Sequence, residues 1–242
     1  MGIRNAPPEA PMIKANCRDR FTAADFDFVV KALAASEKDS VSLVELLTDE
    51  DARDSILDHP RLFKTILEDG APLSISPQLY FYILIRHVLK ETGLTDRSMS
   101  DYVASLLETF SQTARMKSPA DGRATPIQYV SDMLVALQTA TPSQTFLIRA
   151  HVGNYALFIA GIFPATVQSR AERGAPDVGF YEGVGSANYK AAANHQAARS
   201  ASLTGVYERL SESFHDVRLA LNRLSDSLIH LDGGHAPVVD LL

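Results

Sequence analysis

The chain has 242 residues, enough for one large domain or two small ones with a sizeable core. Hydrophobic residues make up 46% and charged residues 21%, and the formal net charge of −6 argues against any broad phosphate-binding surface, which needs clustered Lys and Arg. A single cysteine, Cys17, excludes an internal disulfide framework and any multi-cysteine zinc or iron–sulfur site.

Residues 1–20 carry Pro7, Pro8 and Pro11 and no apolar run, so they read as a flexible arm and not as a signal peptide. With no export signal and one thiol, a cytoplasmic location is expected. A helical domain is predicted over 21–232, and 233–242 reads as a tail. Thr22 and Asp25 have capping-box spacing and open the first helix. Apolar spacing and breakers predict about ten helices, at 22–36, 40–47, 49–57, 60–68, 77–92, 99–116, 126–139, 142–163, 177–200 and 202–230. Ser76-Pro77, Thr125-Pro126 and Thr141-Pro142 each place a capping hydroxyl before a proline at the first helical position, where the missing N–H costs nothing. Gly93 stops the helix before it, and 117–125 is the best candidate for a hinge loop. Sustained two-residue alternation is absent, so the predicted fold class is all-α, a single multi-helical domain.

The charge is uneven. Between Glu37 and Asp69 lie ten acids and four bases, which accounts for the whole net charge of −6 and leaves the rest of the chain neutral. Such a segment is either a solvated edge or a docking face for a basic partner; its expected face is Glu45, Asp49, Glu50, Asp51 and Asp54.

Two helices are apolar nearly all round, 79–89 and 146–163, as expected of helices surrounded by others. The second approaches membrane-spanning length but carries Arg149, His151 and Asn154, so a buried helix and no membrane partner are expected. Arg149, Gly153, Ala156 and Ala160 line one side of it, and the small residues among them admit a closely crossing helix. Tyr181, Gly185 and Tyr189 share a face four residues apart, two rings between which a neighbouring helix would fit or which would frame a pocket.

Polar groups inside such helices need partners. Arg86 and His87 sit together on the first, with Tyr82 one turn earlier and placed to lay its ring against the Arg86 guanidinium. On the second, His151 and Asn154 share a face, while Arg149 points to roughly the opposite side. Either the arginines pair with acids such as Glu108, Asp132 or Glu182, or Arg86, His87, Arg149, His151 and Asn154 converge to hold a carboxylate or phosphate. Other patterns are incomplete. His215-Asp216 lacks the further ligands of a phosphohydrolase, Glu212 and His215 form the di-iron spacing only once, and His230 and His235 have no companions. Gly183-Val-Gly185 follows no strand and suits close helix packing better than a dinucleotide. No metal or cofactor is expected.

The succession AHVGNYALFIAGIFP and then FYEGVGSANYKAAA resembles a region of uncharacterised all-helical bacterial proteins. In those, an apolar helix ending in glycine, an aromatic and proline precedes a tyrosine pair, a glycine and Ala-Tyr. The matching residues are Gly161, Phe163, Pro164, Phe180, Tyr181, Gly185 and Tyr189, with Phe180-Tyr181 replacing the tyrosine pair and Asn188-Tyr189 replacing Ala-Tyr. The resemblance spans about a fifth of the chain and implies an all-helical bacterial protein, with no activity attached.

Two functions are therefore expected in order. The first is a non-catalytic helical interaction or regulatory protein with an acidic docking face at 37–69, its partner a protein or a second copy and not nucleic acid. The second is a small-anion-binding or hydrolytic protein using the Arg/His pocket between the two central helices. Catalysis stays open.

Overall fold

The structure, a computed structural model, describes residues 12–68, 75–116 and 126–231. It is all-α: a 3-10 turn at Arg18–Arg20 and thirteen α-helices, with no strand among the described residues. These are α1 (Ala23–Leu33), α2 (Glu37–Leu46), α3 (Glu50–Leu57), α4 (Pro60–Glu68), α5 (Pro77–Glu91) and α6 (Arg97–Met116). There follow α7 (Pro126–Ala136), α8 (Pro142–Ile162), α9 (Pro164–Ala171), α10 (Val178–Ala193), α11 (Gln196–Ser200), α12 (Thr204–Glu212) and α13 (Phe214–Leu231). Five of them begin with proline, whose fixed φ and missing N–H suit the first helical position. Thr22 and Thr141 close reciprocal capping boxes with Asp25 and Gln144, and Ser36, Asp49, Ser76 and Asp177 cap their helices through side-chain oxygens.

The helices divide into two compact units. An N-terminal unit is built of Ala15–Met116 and takes the end of α13 from Arg223; a C-terminal unit is built of Lys117–Asn222 with the residues before Ala15. Each of the two all-round apolar helices is the centre of one unit. In the N-terminal unit α5 buries nine residues, from Leu79 to Leu89, against α4, α6 and the 3-10 turn. In the C-terminal unit α8 buries residues on every side, and α7, α9, α10 and α11 pack on it. α8 is long and apolar enough to cross a membrane by length and composition, and most of its apolar stretch is buried within the protein.

The close crossing expected on α8 is present. A Cβ on Gly153 would lie 2.8 Å from the Tyr189 ring, and one on Gly185 would lie 2.3 Å from the Phe214 ring and 3.1 Å from Ala156. Tyr189, fully buried, also stacks on Tyr207 at 5.6 Å.

Three differences from the predicted helices have local causes. The predicted 142–163 helix is α8, and an unpredicted helix, α9, follows it directly: Pro164 offers no N–H to the Ala160 carbonyl, and Asn222 Nδ2 supplies the missing donor, at 2.9 Å to Ala160 and 2.7 Å to Gly161. The predicted 177–200 helix breaks where His195 N-caps α11 through its side chain. The predicted 202–230 helix breaks at Ser213: the Ser186 hydroxyl donates to the Ser211 carbonyl at 2.8 Å, inserting a side chain into the helical ladder.

The expected arm is shorter at its C-terminal end than 1–20. Cys17 is fully buried, its thiol donating to the Gln78 carbonyl at 3.2 Å, and burial, with Asp101 next, pushes the thiol up to about 12. Arg18 is anchored as described below. The hinge candidate 117–125 and the tail 233–242 lie outside the described residues.

Candidate functional site

The acidic segment separates into two populations. On α2 and α3, Glu37, Asp39, Glu45, Glu50 and Asp51 are exposed. Four of them occupy first turns, where a carboxylate complements the helix dipole. Asp49 is exposed too, but its carboxylate accepts the Ala52 N–H at 2.8 Å and caps α3. Among these acids α2 presents Val41, Val44 and Leu46 at 60%, 56% and 48% exposure, and none of its residues is buried. Helical spacing puts Glu37, Val41, Val44 and Glu45 on one face.

Asp54 does not belong to that face. It is buried, and Arg18 Nη1 donates to both its oxygens at 2.6 Å, while Arg97 Nε stands 3.3 Å away. Arg18 also grips Asp101, through Nε at 2.9 Å and its backbone N–H at 3.1 Å. The Tyr82 ring lies under the Arg18 guanidinium, 5.8 Å from its centroid, and not under Arg86 as expected. Next along the segment, Asp58 accepts from Arg86 Nε at 2.7 Å and Nη2 at 3.0 Å, and from Arg97 Nη2 at 3.1 Å, with Lys90 Nζ at 3.2 Å. Burial would raise this carboxyl, but Arg86, Lys90 and Arg97 outweigh it and hold it down at about 2.

Arg86 is thus spent. Its remaining Nη1 donates to the Thr95 carbonyl at 2.7 Å, so the buried guanidinium is satisfied on all three nitrogens. His87 stacks on Phe63 with centroids 3.8 Å apart and faces Glu91 at 3.3 Å. Both residues belong to the N-terminal unit; Arg149, His151 and Asn154 belong to the C-terminal unit. There, Arg149 and Asn154 reach consecutive residues of α10 and not opposite sides of α8. Arg149 Nη1 donates to Asn188 Oδ1 at 3.2 Å, and Asn154 Oδ1 accepts the Tyr189 hydroxyl at 2.8 Å. His151 is half-buried.

Of the three acids expected to pair with Arg86 or Arg149, two have other partners and the third is exposed. Glu108 takes Arg20 and Gln78, and Glu182 takes Arg218 at 2.5 Å and His215 at 2.9 Å; Asp132 is exposed. Among the described residues no three of His, Cys, Asp and Glu group as metal ligands. The partners that sequence reasoning missed, Arg18, Arg97 and Asp58, come from segments up to 83 residues apart, and no local pattern marks them. No family model, curated protein or solved structure matches the chain.

Proposed function

We propose that this protein is a non-catalytic helical interaction protein that receives a basic, amphipathic protein segment on the α2–α3 face. The observation that carries this reading is α2 itself. A ten-residue helix is marginal alone, yet this one buries no residue and holds three large apolar side chains in water between carboxylates. A partner helix with Leu or Val flanked by Lys and Arg complements both features: its apolar side chains cover Val41 and Val44, and its cations meet Glu37, Glu45, Glu50 and Asp51. Such a contact is steered by charge and weakens with salt.

The test is fluorescence anisotropy with a labelled Leu/Lys amphipathic helical peptide and a second peptide of the same composition ordered so that no apolar face forms. The amphipathic peptide is expected to bind at least about tenfold more tightly, because only it can bury the two valines. Val41→Ser with Val44→Ser should erase that preference, and Glu45→Lys, Glu50→Lys and Asp51→Lys together should abolish binding at low salt. Asp49 is left in place because it caps α3. Equal binding of the two peptides, or binding that survives the charge reversal, overturns the proposal.

A further inference from the structure

A second site lies in the C-terminal unit, lined by none of the residues singled out as anion binders from the sequence. The break at Pro164 separates α9 from α8, and the turn after α9 closes at Gly174 (φ +86°), where the Gly174 N–H bonds the Ala171 carbonyl at 2.9 Å and the Ala175 N–H bonds the Arg170 carbonyl at 3.1 Å. The chain then reaches α10 through Pro176. These three elements enclose a pocket of about 190 Å3. Ile159, Phe163, Val167 and Pro176 give it apolar walls, Arg170 supplies its one charge, and Tyr181 and the exposed Thr166 supply hydroxyls.

The polar groups of Arg170 and Tyr181 both line the pocket without a protein partner among the described residues. Tyr181 is 4% exposed as a residue, yet its hydroxyl, with no hydrogen-bond partner among the described residues, is not sealed off and reaches accessible space. Arg170, half-buried, makes no ion pair among the described residues, whereas Arg18, Arg86, Arg97 and Arg218 each hold a carboxylate. No acid lines the pocket. Burial raises the Tyr181 hydroxyl, which keeps it protonated and a donor at neutral pH, and the Arg170 charge acts on it, so the two are electrostatic neighbours.

We infer that this pocket binds a small monocarboxylate with a compact apolar body, its carboxylate on Arg170 and Tyr181 and its body against Phe163 and Val167. The size fits: an apolar cavity of about 150 Å3 holds one benzene ring in another protein, so a volume of about 190 Å3 admits a ring or a six-carbon chain together with a carboxylate. The charge fits as well. One guanidinium and one hydroxyl offer the donors of a single carboxylate in its fork geometry, and nothing in the walls can hold a second charge.

Isothermal titration of the full chain with benzoate, hexanoate, benzamide and inorganic phosphate tests this. Benzoate or hexanoate should saturate one site with a Kd of about 1 mM or tighter, and phosphate, which has charge but no apolar body, should not bind there. Arg170→Gln should weaken carboxylate binding at least about tenfold while leaving benzamide unchanged, and Tyr181→Phe should weaken it about three- to tenfold. Val167→Phe should abolish binding of carboxylate and amide alike by filling the pocket, with far-UV circular dichroism reporting that the variant is folded; Arg170→Gln at a half-exposed position carries the test if it is not. Absence of saturable binding by either carboxylate, unchanged benzoate affinity in Arg170→Gln, or displacement of benzoate by phosphate as readily as by hexanoate overturns the inference.

Discussion

Gly185 and Ser202 make opposite demands on a β-carbon. At Gly185 an added Cβ would sit 2.3 Å from two atoms of the Phe214 ring, which is itself 2% exposed and cannot swing into solvent. Gly185→Ala is therefore expected to destabilise by about 1–3 kcal/mol, the cost of overpacking a filled core, despite alanine's better helix propensity. At Ser202 the residue is exposed with φ +57°, closing α11 with the Leu203 N–H on the Ala198 carbonyl at 2.8 Å and its own N–H on Arg199 at 3.1 Å. That left-handed position suits glycine, because a Cβ crowds the following carbonyl there. Ser202→Gly is expected to stabilise by about 0.5–1 kcal/mol, the steric relief exceeding the added chain entropy. Urea unfolding checks both: the midpoint should fall for the first variant and rise for the second, with the slope unchanged. A rise for Gly185→Ala would mean that Phe214 has room to move.

At the scale of elements, what the sequence made legible was local chemistry. Thr22, Ser76, Thr141 and the prolines mark helix starts because a cap and a missing N–H act within four residues of themselves, and Gly93 marks a stop for the same reason. The all-round apolar character of α5 and α8 identifies a central helix because burial on every side leaves no polar stripe. It does not say that each centres a different unit. The break at Ser213 was illegible because its cause is the Ser186 hydroxyl, 25 residues away, while the apolar spacing of Tyr207, Leu210, Phe214 and Val217 continues through it. Helical spacing points the Tyr82 ring at Arg86, yet Arg18, a cation from the 3-10 turn, takes it. The acidic face was legible in composition and only half so in position. Glu45, Glu50 and Asp51 reach solvent, but whether Asp54 did so depended on Arg18 and Arg97, which spacing cannot place. Tyr181 is legible only as a ring on the face it shares with Gly185 and Tyr189, and Arg170 leaves no signal, since a pocket made at a helix break has no periodicity of its own.

For the whole molecule, the charge count changes meaning once partners are known. The segment from Glu37 to Asp69 carries a net −6, but Asp54 and Asp58 are met by Arg18, Arg86, Lys90 and Arg97, all of which lie outside the segment. The neutral remainder of the chain thus lends cations to the acidic segment's buried side, while its solvent side keeps an uncompensated negative face. The buried side should show in the pH dependence of folding. Asp58 titrates at about 2 in the folded protein against an ordinary value of 3.8, so above pH 4 both states are ionised and the full stabilisation is present. As pH falls from about 4 to 2 the unfolded chain takes up the proton first, and stability declines through that window. Allowing for partial solvent screening, the loss attributable to this carboxyl is about 1–2 kcal/mol. Asp58→Asn should destabilise at neutral pH by about 3–5 kcal/mol, because Arg86 is left buried without its counter-charge. The stability gap between wild type and this variant, measured by urea unfolding at successive pH values, should be constant from pH 7 to 5 and narrow between 4 and 2. A gap that stays constant to pH 2 would show that the Asp58 carboxylate is not held by these cations in solution.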